Sequence, residues 1–238
     1  MIFERTRMLL GEEAMRRLKN AHVAVFGIGG VGSYTAEALV RSGVGTLSLI
    51  DDDTVAQSNL NRQLIALHST LGMPKVSAMK QRALDIHPEA VIWAHCLHYS
   101  VETAERLDFS QYDYIADCID TVSAKIDLIV RAKKLGIPII SSMGAGNKLH
   151  PELFELTDLY KTSVCPLARV MRRELKARGI QSLDVVYSKE PAITPAASAL
   201  KEDALHSKRQ TPGSVAFVPS AAGMIMAGKI IRELSGWQ

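Results

Sequence analysis

The chain has 238 residues, 47% of them apolar and 22% charged, with 28 Lys and Arg against 25 Asp and Glu and a formal net charge of +3. This composition excludes a disordered or fibrous chain and leaves room for one large domain or two small ones. The three cysteines, at 96, 118 and 165, form no CxxC pair. That excludes a disulfide scaffold and a self-contained cysteine-rich zinc site, and it fits a reducing compartment.

The opening segment, MIFERTRMLLGEEAMRRLK, is too charged for a secretory signal and has no uninterrupted apolar run. The first strand is expected at His22–Phe26, a β-branched and aromatic run ending at Gly27. A helix then opens at Gly29 to Gly32 and closes at Gly43, and a second strand at Thr46–Ile50 runs into Asp51, Asp52 and Asp53. Helix Lys75–Ile86 stops ahead of Pro88, and a strand follows at 91–94. Strand 114–118, helix 123–135 and strand 137–141 continue the alternation. Such alternation predicts a Rossmann-like α/β fold, a mostly parallel sheet with helices on both faces.

Past residue 142 the pattern changes. A strand-like piece at 153–156 precedes an amphipathic helix at 166–178, and another strand at 184–187 leads into a long polar loop from 188 to 214. A loop of that length is read as a mobile or substrate-handling element. Residues 211–228 carry no formal charge, but Pro212, Gly213, Pro219 and several alanines make them a loop and a packed helix rather than a membrane span. The expectation is a single domain over 1–238, with a nucleotide-binding core at 1–145 and a substrate-handling and dimerisation extension at 146–238.

Gly27, Gly29, Gly30 and Gly32 satisfy GxGxxG between a strand and a helix, a turn that lets a phosphate approach the backbone and the helix N-terminus. Asp51, at the end of the next strand, is placed to bind a ribose hydroxyl. The glycines alone do not separate a dinucleotide from a triphosphate. Arg62, in SNLNRQ at 58–63, and Lys75, in MPK at 73–75, favour the triphosphate, whose charge needs cations along the chain. The plainer reading is a pair of solvated surface cations. A divalent metal needs a carboxylate, and Asp120 follows the strand at 114–118, at the sheet end where ligands bind. A helix N-cap ahead of Ser123 competes for the same side chain.

GIGGVGS, IDDDTV, SNLNRQ, MPK and DCID together resemble the adenylating domain of the ubiquitin-activating-enzyme superfamily over residues 1 to about 145. The resemblance implies ATP and Mg2+ as cofactors. It implies Asp51 on the ATP ribose, Asn59, Arg62 and Lys75 on the phosphates, and Asp120 on the metal, with Asp53 and the four glycines completing the nucleotide site. It also implies a homodimer in which an N-terminal arginine reaches the partner's ATP; Arg7 matches it, with Arg5 the nearby alternative. Arg7, Arg62, Lys75 and Asp120 are thus the candidate catalytic set.

The second half narrows the expectation. SSMGAGNK at 141–148, TDLYKT at 157–162, PLARVMRREL at 166–175 and VVYSKE at 185–190 resemble the tRNA threonylcarbamoyladenosine dehydratases, extending the likeness to nearly the whole chain. That resemblance implies ATP-dependent cyclisation of threonylcarbamoyladenosine next to the anticodon, in the cytoplasm, with a link to cysteine-desulfurase proteins. DNA and membranes are not among the expected partners. The modified base carries a free threonine carboxylate, and ring closure after its adenylation is intramolecular, needing positioning more than a strong base. The alternative is an activating enzyme for a ubiquitin-like sulfur carrier, whose usual pair of CxxC motifs is missing here, or a sulfur acceptor in a desulfurase relay.

A tRNA substrate needs cations for its phosphates. Arg169, Arg172, Arg173 and Lys176 follow i, i+3, i+4, i+7 spacing and share one helix face, with Leu167, Val170, Met171 and Leu175 forming the apolar side. Lys201, Lys208 and Arg209 in the long loop add to them, while a merely solvated basic face is the competing reading. Cys96 and Cys118 are expected as small core residues, and Cys165, before Pro166, as a partly exposed thiol at a helix N-terminus. The seven histidines show no HxxxH or HxH spacing.

Overall fold

The computed structural model describes residues 2–194 and 212–237. Lys201, Lys208 and Arg209, and most of the expected long loop, lie outside these described residues. The described chain runs α1 Glu4–Leu10, α2 Glu12–Asn20, β1 His22–Phe26, α3 Gly32–Arg41, β2 Thr46–Ile50, α4 Lys75–Ile86, β3 Val91–His95, β4 Tyr114–Asp117, α5 Val122–Leu135, β5 Ile139–Ser142, β6 Phe154–Asp158, α6 Pro166–Lys176, β7 Asp184–Ser188 and α7 Phe217–Ser235, with short 3-10 turns between.

The strands form one seven-stranded sheet in the order β3-β2-β1-β4-β5-β7-β6. All neighbours pair parallel except β6, which returns antiparallel to β7. The chain winds outward from β1 to β3, then crosses back to β4 on the other side of β1. The point of reversal lies between the carboxyl ends of β1 and β4, where crevices open in such sheets.

Two hydrophobic clusters cover the two sheet faces. On one, Val23 and Val25 of β1, Leu47 and Leu49 of β2 and Ala116 of β4 meet Leu39 of α3, Met79 of α4 and Ala222, Met226 and Ile230 of α7. On the other, Ala24, Phe26, Ile115 and Val185 meet Leu128 of α5 and Met171 and Leu175 of α6. The one-in, one-out alternation of β1 produces both sets. The clusters therefore divide by sheet face and not at residue 145, because α7 belongs to the same core as β1 to β3.

Helix α7 approaches α3 closely at Gly223. A Cβ on Gly223 would stand 2.4 Å from the Val31 carbonyl oxygen, and Thr35 Oγ1 donates to Gly223 O at 3.2 Å. Ala222, Met226, Ala227 and Ile230 are buried by this packing, while Met224 on the outer side of the helix stays 46% exposed. Cys96 is exposed, contrary to expectation, because it lies just past the edge strand β3. Cys165 is only 3% exposed, packed under α6 in the second cluster, and is not the accessible thiol expected. Among the described residues no helix is long and apolar enough to cross a membrane.

Candidate active site

A cavity of about 500 Å³ opens at the point of reversal. Its floor is the turn after β1. Gly27 holds a φ of +85°, and a Cβ there would lie 2.7 Å from the Cys118 carbonyl oxygen; one on Gly32 would lie 1.8 Å from the Gly27 oxygen. Only glycine fits either place. The segment 57–63 docks on this turn through Ser33, whose Oγ donates to Gly29 O at 2.7 Å and accepts from Leu64 N at 3.3 Å.

Asp51, Asp53, Asn59, Arg62, Lys75 and Asp120 all line this cavity, together with Gly27, Gly29 and Gly30. Half-buried Asp51 accepts Ile28 N–H at 2.6 Å and Asp53 N–H at 2.9 Å, which fixes its carboxylate beside the turn. Burial pushes its pKa above the usual carboxylate range, with Lys75 and the two N–H donors opposing. Lys75 is 5% exposed and reaches Asp53 at 2.5 Å and Asp51 at 4.0 Å. Arg62 Nη1 donates to Ser58 O at 2.8 Å and Asn61 Oδ1 at 2.9 Å. Asn59 has a local task as well, since its Oδ1 accepts Ala56 N–H at 3.0 Å. Lys75 is thus not a merely solvated cation, whereas Arg62 is half-buried and bonds only within its own turn. Gly32 lies below the floor in the first turn of α3 and does not line the cavity.

Asp120 is exposed at the cavity wall, its Oδ1 near Thr121 Oγ1 at 3.4 Å. The N-cap of α5 is Thr121, so Asp120 does not cap that helix. The wall behind it rests on a buried ion pair that sequence reasoning missed. Lys125 Nζ lies 2.9 Å from Asp117 Oδ2 and 3.1 Å from Ile119 O, and both side chains are fully buried. Ser141 Oγ and Ile119 N also donate to Asp117, at 2.6 and 3.2 Å. Cys118 lines the cavity too, but burial and the Asp117 carboxylate push its thiol up to about 12, so it stays protonated.

Opposite the glycine turn lies the segment 144–146. Asn147, at a φ of +58°, bonds Gly213 in both directions, its N–H donating to Gly213 O at 2.8 Å and its Oδ1 accepting from Gly213 N at 2.6 Å. Its carbonyl accepts Ile193 N–H at 2.8 Å, so one residue holds both described ends of the long loop. Pro212 and Ser214 thereby line the cavity.

Arg7 does not line this cavity in its own chain. It sits on α1 with Glu4 at 2.9 Å and Glu12 at 3.0 Å, in a separate groove with Gly43 and His87. On α6 the expected four-cation face is only partly realised. Arg172 turns inward to the carbonyl and hydroxyl oxygens of Thr162, and Arg173 pairs with Glu174 at 2.8 Å. Arg169 and Lys176 are exposed. Val170 is half-buried, and Ala168 completes the buried face with Met171 and Leu175.

A glycine turn, a helix N-terminus, two cations and carboxylates around one crevice of a doubly wound sheet define a nucleotide-binding α/β protein. The model of the ThiF family matches residues 3–238. The tRNA threonylcarbamoyladenosine dehydratase of Bacillus subtilis (strain 168) is 44% identical over 238 residues, covering 98% of this chain and 94% of that protein. The Escherichia coli K12 protein of the same name is 33% identical, covering 98% and 92%. The crystal structure of the E. coli enzyme, TcdA, in complex with ATP has a TM-score of 0.87 at 32% identity, covering 98% of this chain and 93% of that one. The chain belongs to the ThiF family and, within it, to the tRNA threonylcarbamoyladenosine dehydratases.

Proposed function

We propose that this protein is an ATP-dependent tRNA threonylcarbamoyladenosine dehydratase, acting on the modified base next to the anticodon. The observation that carries the reading is the single cavity in which the glycine turn faces Arg62 and Lys75. The threonine carboxylate attacks the α-phosphorus, pyrophosphate leaves, and an acyl-adenylate forms. An atom of the same side chain then closes the ring on the acyl carbon and AMP departs, so the elements of one water are lost. Asp51 orients the ribose. Arg62 and Lys75 stabilise negative charge as it shifts along the phosphates. Ring closure needs no strong base, in keeping with a cavity whose only cysteine thiol is held protonated.

The residues present fit a divalent cation. Asp120 is an exposed carboxylate with one hydroxyl neighbour, whereas Asp51 is already engaged by two backbone donors. Asp120 would hold Mg2+, whose chemistry is to neutralise phosphate charge. The homodimer reading is supported by Arg7, which lies outside its own chain's cavity on a helix that exposes Met8 and Leu9. The sulfur-acceptor alternative is disfavoured by the burial of Cys165.

The reading is tested by incubating the protein with ATP and tRNA bearing threonylcarbamoyladenosine, then weighing the digested nucleosides. The expected result is conversion to a product lighter by one water, with AMP and pyrophosphate released. An unchanged nucleoside with active ATP turnover would refute it.

The exposed cations of α6 are placed to meet the RNA backbone. Arg169→Glu with Lys176→Glu is expected to weaken tRNA binding while leaving ATP binding unchanged. The salt slope should fall by roughly 0.7 to 0.9 for each phosphate contact removed. Equal affinity at every salt concentration would show that this face is only solvated. Arg172 is unsuited to the test, because its loss would also unseat Thr162.

A further inference from the structure

Asn61 stands between Arg62 and a distant part of the chain. Its Nδ2 donates to Ser214 O at 2.9 Å, across 153 residues of sequence, and its Oδ1 accepts from Arg62 Nη1 at 2.9 Å. A guanidinium can only donate and a carbonyl can only accept, so the two partners leave this amide a single orientation. A carboxylate could not donate to the carbonyl, and an apolar side chain would serve neither partner. Arg62 and Ser214 line the cavity, whereas Asn61 lies behind them and does not.

The two partners are placed by different means. Arg62 Nη1 gives its other hydrogen to Ser58 O at 2.8 Å, and among the described residues Nε and Nη2 make no bond, which leaves them for a ligand. Two acceptors on one nitrogen fix the plane of the guanidinium; with Ser58 alone it could swing about that bond. The Ser214 carbonyl is set by residues 146 and 147. A Cβ on Gly146 would stand 2.7 Å from the Cβ of Pro212, so glycine is what lets the two segments lie this close, and Asn147 holds Gly213 in both directions.

Resting on the reading of the cavity as a nucleotide site, we propose that Asn61 is a positioning residue that relays the seating of segment 212–214 to Arg62, so that a phosphate-side cation is aligned by the C-terminal part of the chain. The relay works through one amide. While 212–214 is seated on Gly146 and Asn147, the Ser214 carbonyl holds Nδ2 and thereby turns Oδ1 to the guanidinium. Without that carbonyl the amide rotates about a soft torsion, and Arg62 keeps Ser58 alone. The grip on ATP therefore depends on a segment that reaches the cation by way of Asn61. Adenosine, with no phosphate for Arg62 to meet, should not sense it.

The test uses the full chain and measures melting temperature and affinity for ATP and for adenosine in two double-mutant cycles. Asn61 is exposed, and Asn61→Ala should leave melting temperature and adenosine affinity unchanged. Its Kd for ATP should rise roughly three- to tenfold, the range of one such hydrogen bond. In an Arg62→Ala background the same substitution should change nothing, because the group it positions is gone. Asn147→Gly keeps the positive φ accessible and removes only the side-chain bond to Gly213, so it should also weaken ATP binding, yet add nothing beside Asn61→Ala. Gly146→Ala, whose Cβ would displace Pro212, serves the same end should Asn147→Gly fail to fold. Unaltered ATP affinity in Asn61→Ala, or an effect that persists in full in the Arg62→Ala background, would overturn the proposal. So would a 146 or 147 variant that binds ATP as wild type does, or whose loss multiplies with that of Asn61→Ala, since either detaches 212–214 from Arg62. A lower melting temperature for Asn61→Ala with equal losses for ATP and adenosine would mean that the amide merely braces the turn, and the proposal would fall. Wild-type protein without ATP affinity would instead remove the nucleotide reading itself, and this proposal with it.

Discussion

Lys75→Ala is expected to lose about a hundredfold or more in turnover while folding normally. The Nζ group is buried at the rim of the sheet between Asp51 and Asp53, so a phosphate bound beside it would meet its charge in a medium that screens poorly. Removing one such positioned charge commonly costs about 3 kcal/mol of transition-state stabilisation. Folding should largely tolerate the change, because Asp53 is mostly in solvent and Asp51 keeps the N–H donors of Ile28 and Asp53. Retained ATP-dependent turnover would remove Lys75 from the site. The same variant tests the proposed homodimer. Arg7→Ala should be nearly inactive alone, yet a heterodimer of the two variants pairs one doubly defective site with one intact site. Activity should recover toward half of wild type after subunit exchange. Verified heterodimers that stay inactive would show that Arg7 does not act across the interface.

Lys125→Met should unfold the protein more readily than any surface change, by about 3 to 5 kcal/mol, the usual cost of stranding one partner of a buried pair. Asp117 would keep its bonds from Ser141 and Ile119 but lose the only cation, among the described residues, within reach of its fully buried carboxylate. A second change, Asp117→Asn, should recover part of the loss by removing the uncompensated charge. Urea denaturation measures both. A loss below about 1 kcal/mol would mean that water reaches the pair, since exposed pairs contribute no more than that. The pair also props the segment 118–121 that carries Asp120, so the single variant should bind ATP less well than its remaining folded fraction predicts.

Much of this was readable before any fold was in view, and the reasons differ by element. The first turn was legible because three independent demands coincide there: a strand ending in glycine, a helix start, and an acidic residue closing the next strand. The reversal of β6 was not, since direction in a sheet is set by pairing partners far away in the chain. Lys125 reads as an ordinary solvent-facing helix lysine within SAKID, and only the position of Asp117 beneath it reveals the pair. The spacing of Arg172 puts it on the basic face; Thr162, on the turn ahead of the helix, pulls it inward. Cys96 misleads because a strand at the edge of a sheet covers less than its pattern promises. That Gln63 of SNLNRQ buries its Oε1 without a partner among the described residues is likewise a fact of packing that no motif carries.

The seating of α7 against α3 has a consequence for how the protein is made. The glycine turn and its helix are made well before the helix that covers them: Thr35 and Gly223, which bond to each other, stand 188 residues apart in the chain. Until residues near Ile230 are available, Leu39 and Val40 lack the part of their cover that α7 provides, and Pro219 cannot close beside Gly30. The nascent chain therefore shows chaperones and proteases a half-finished apolar surface for the whole of that interval.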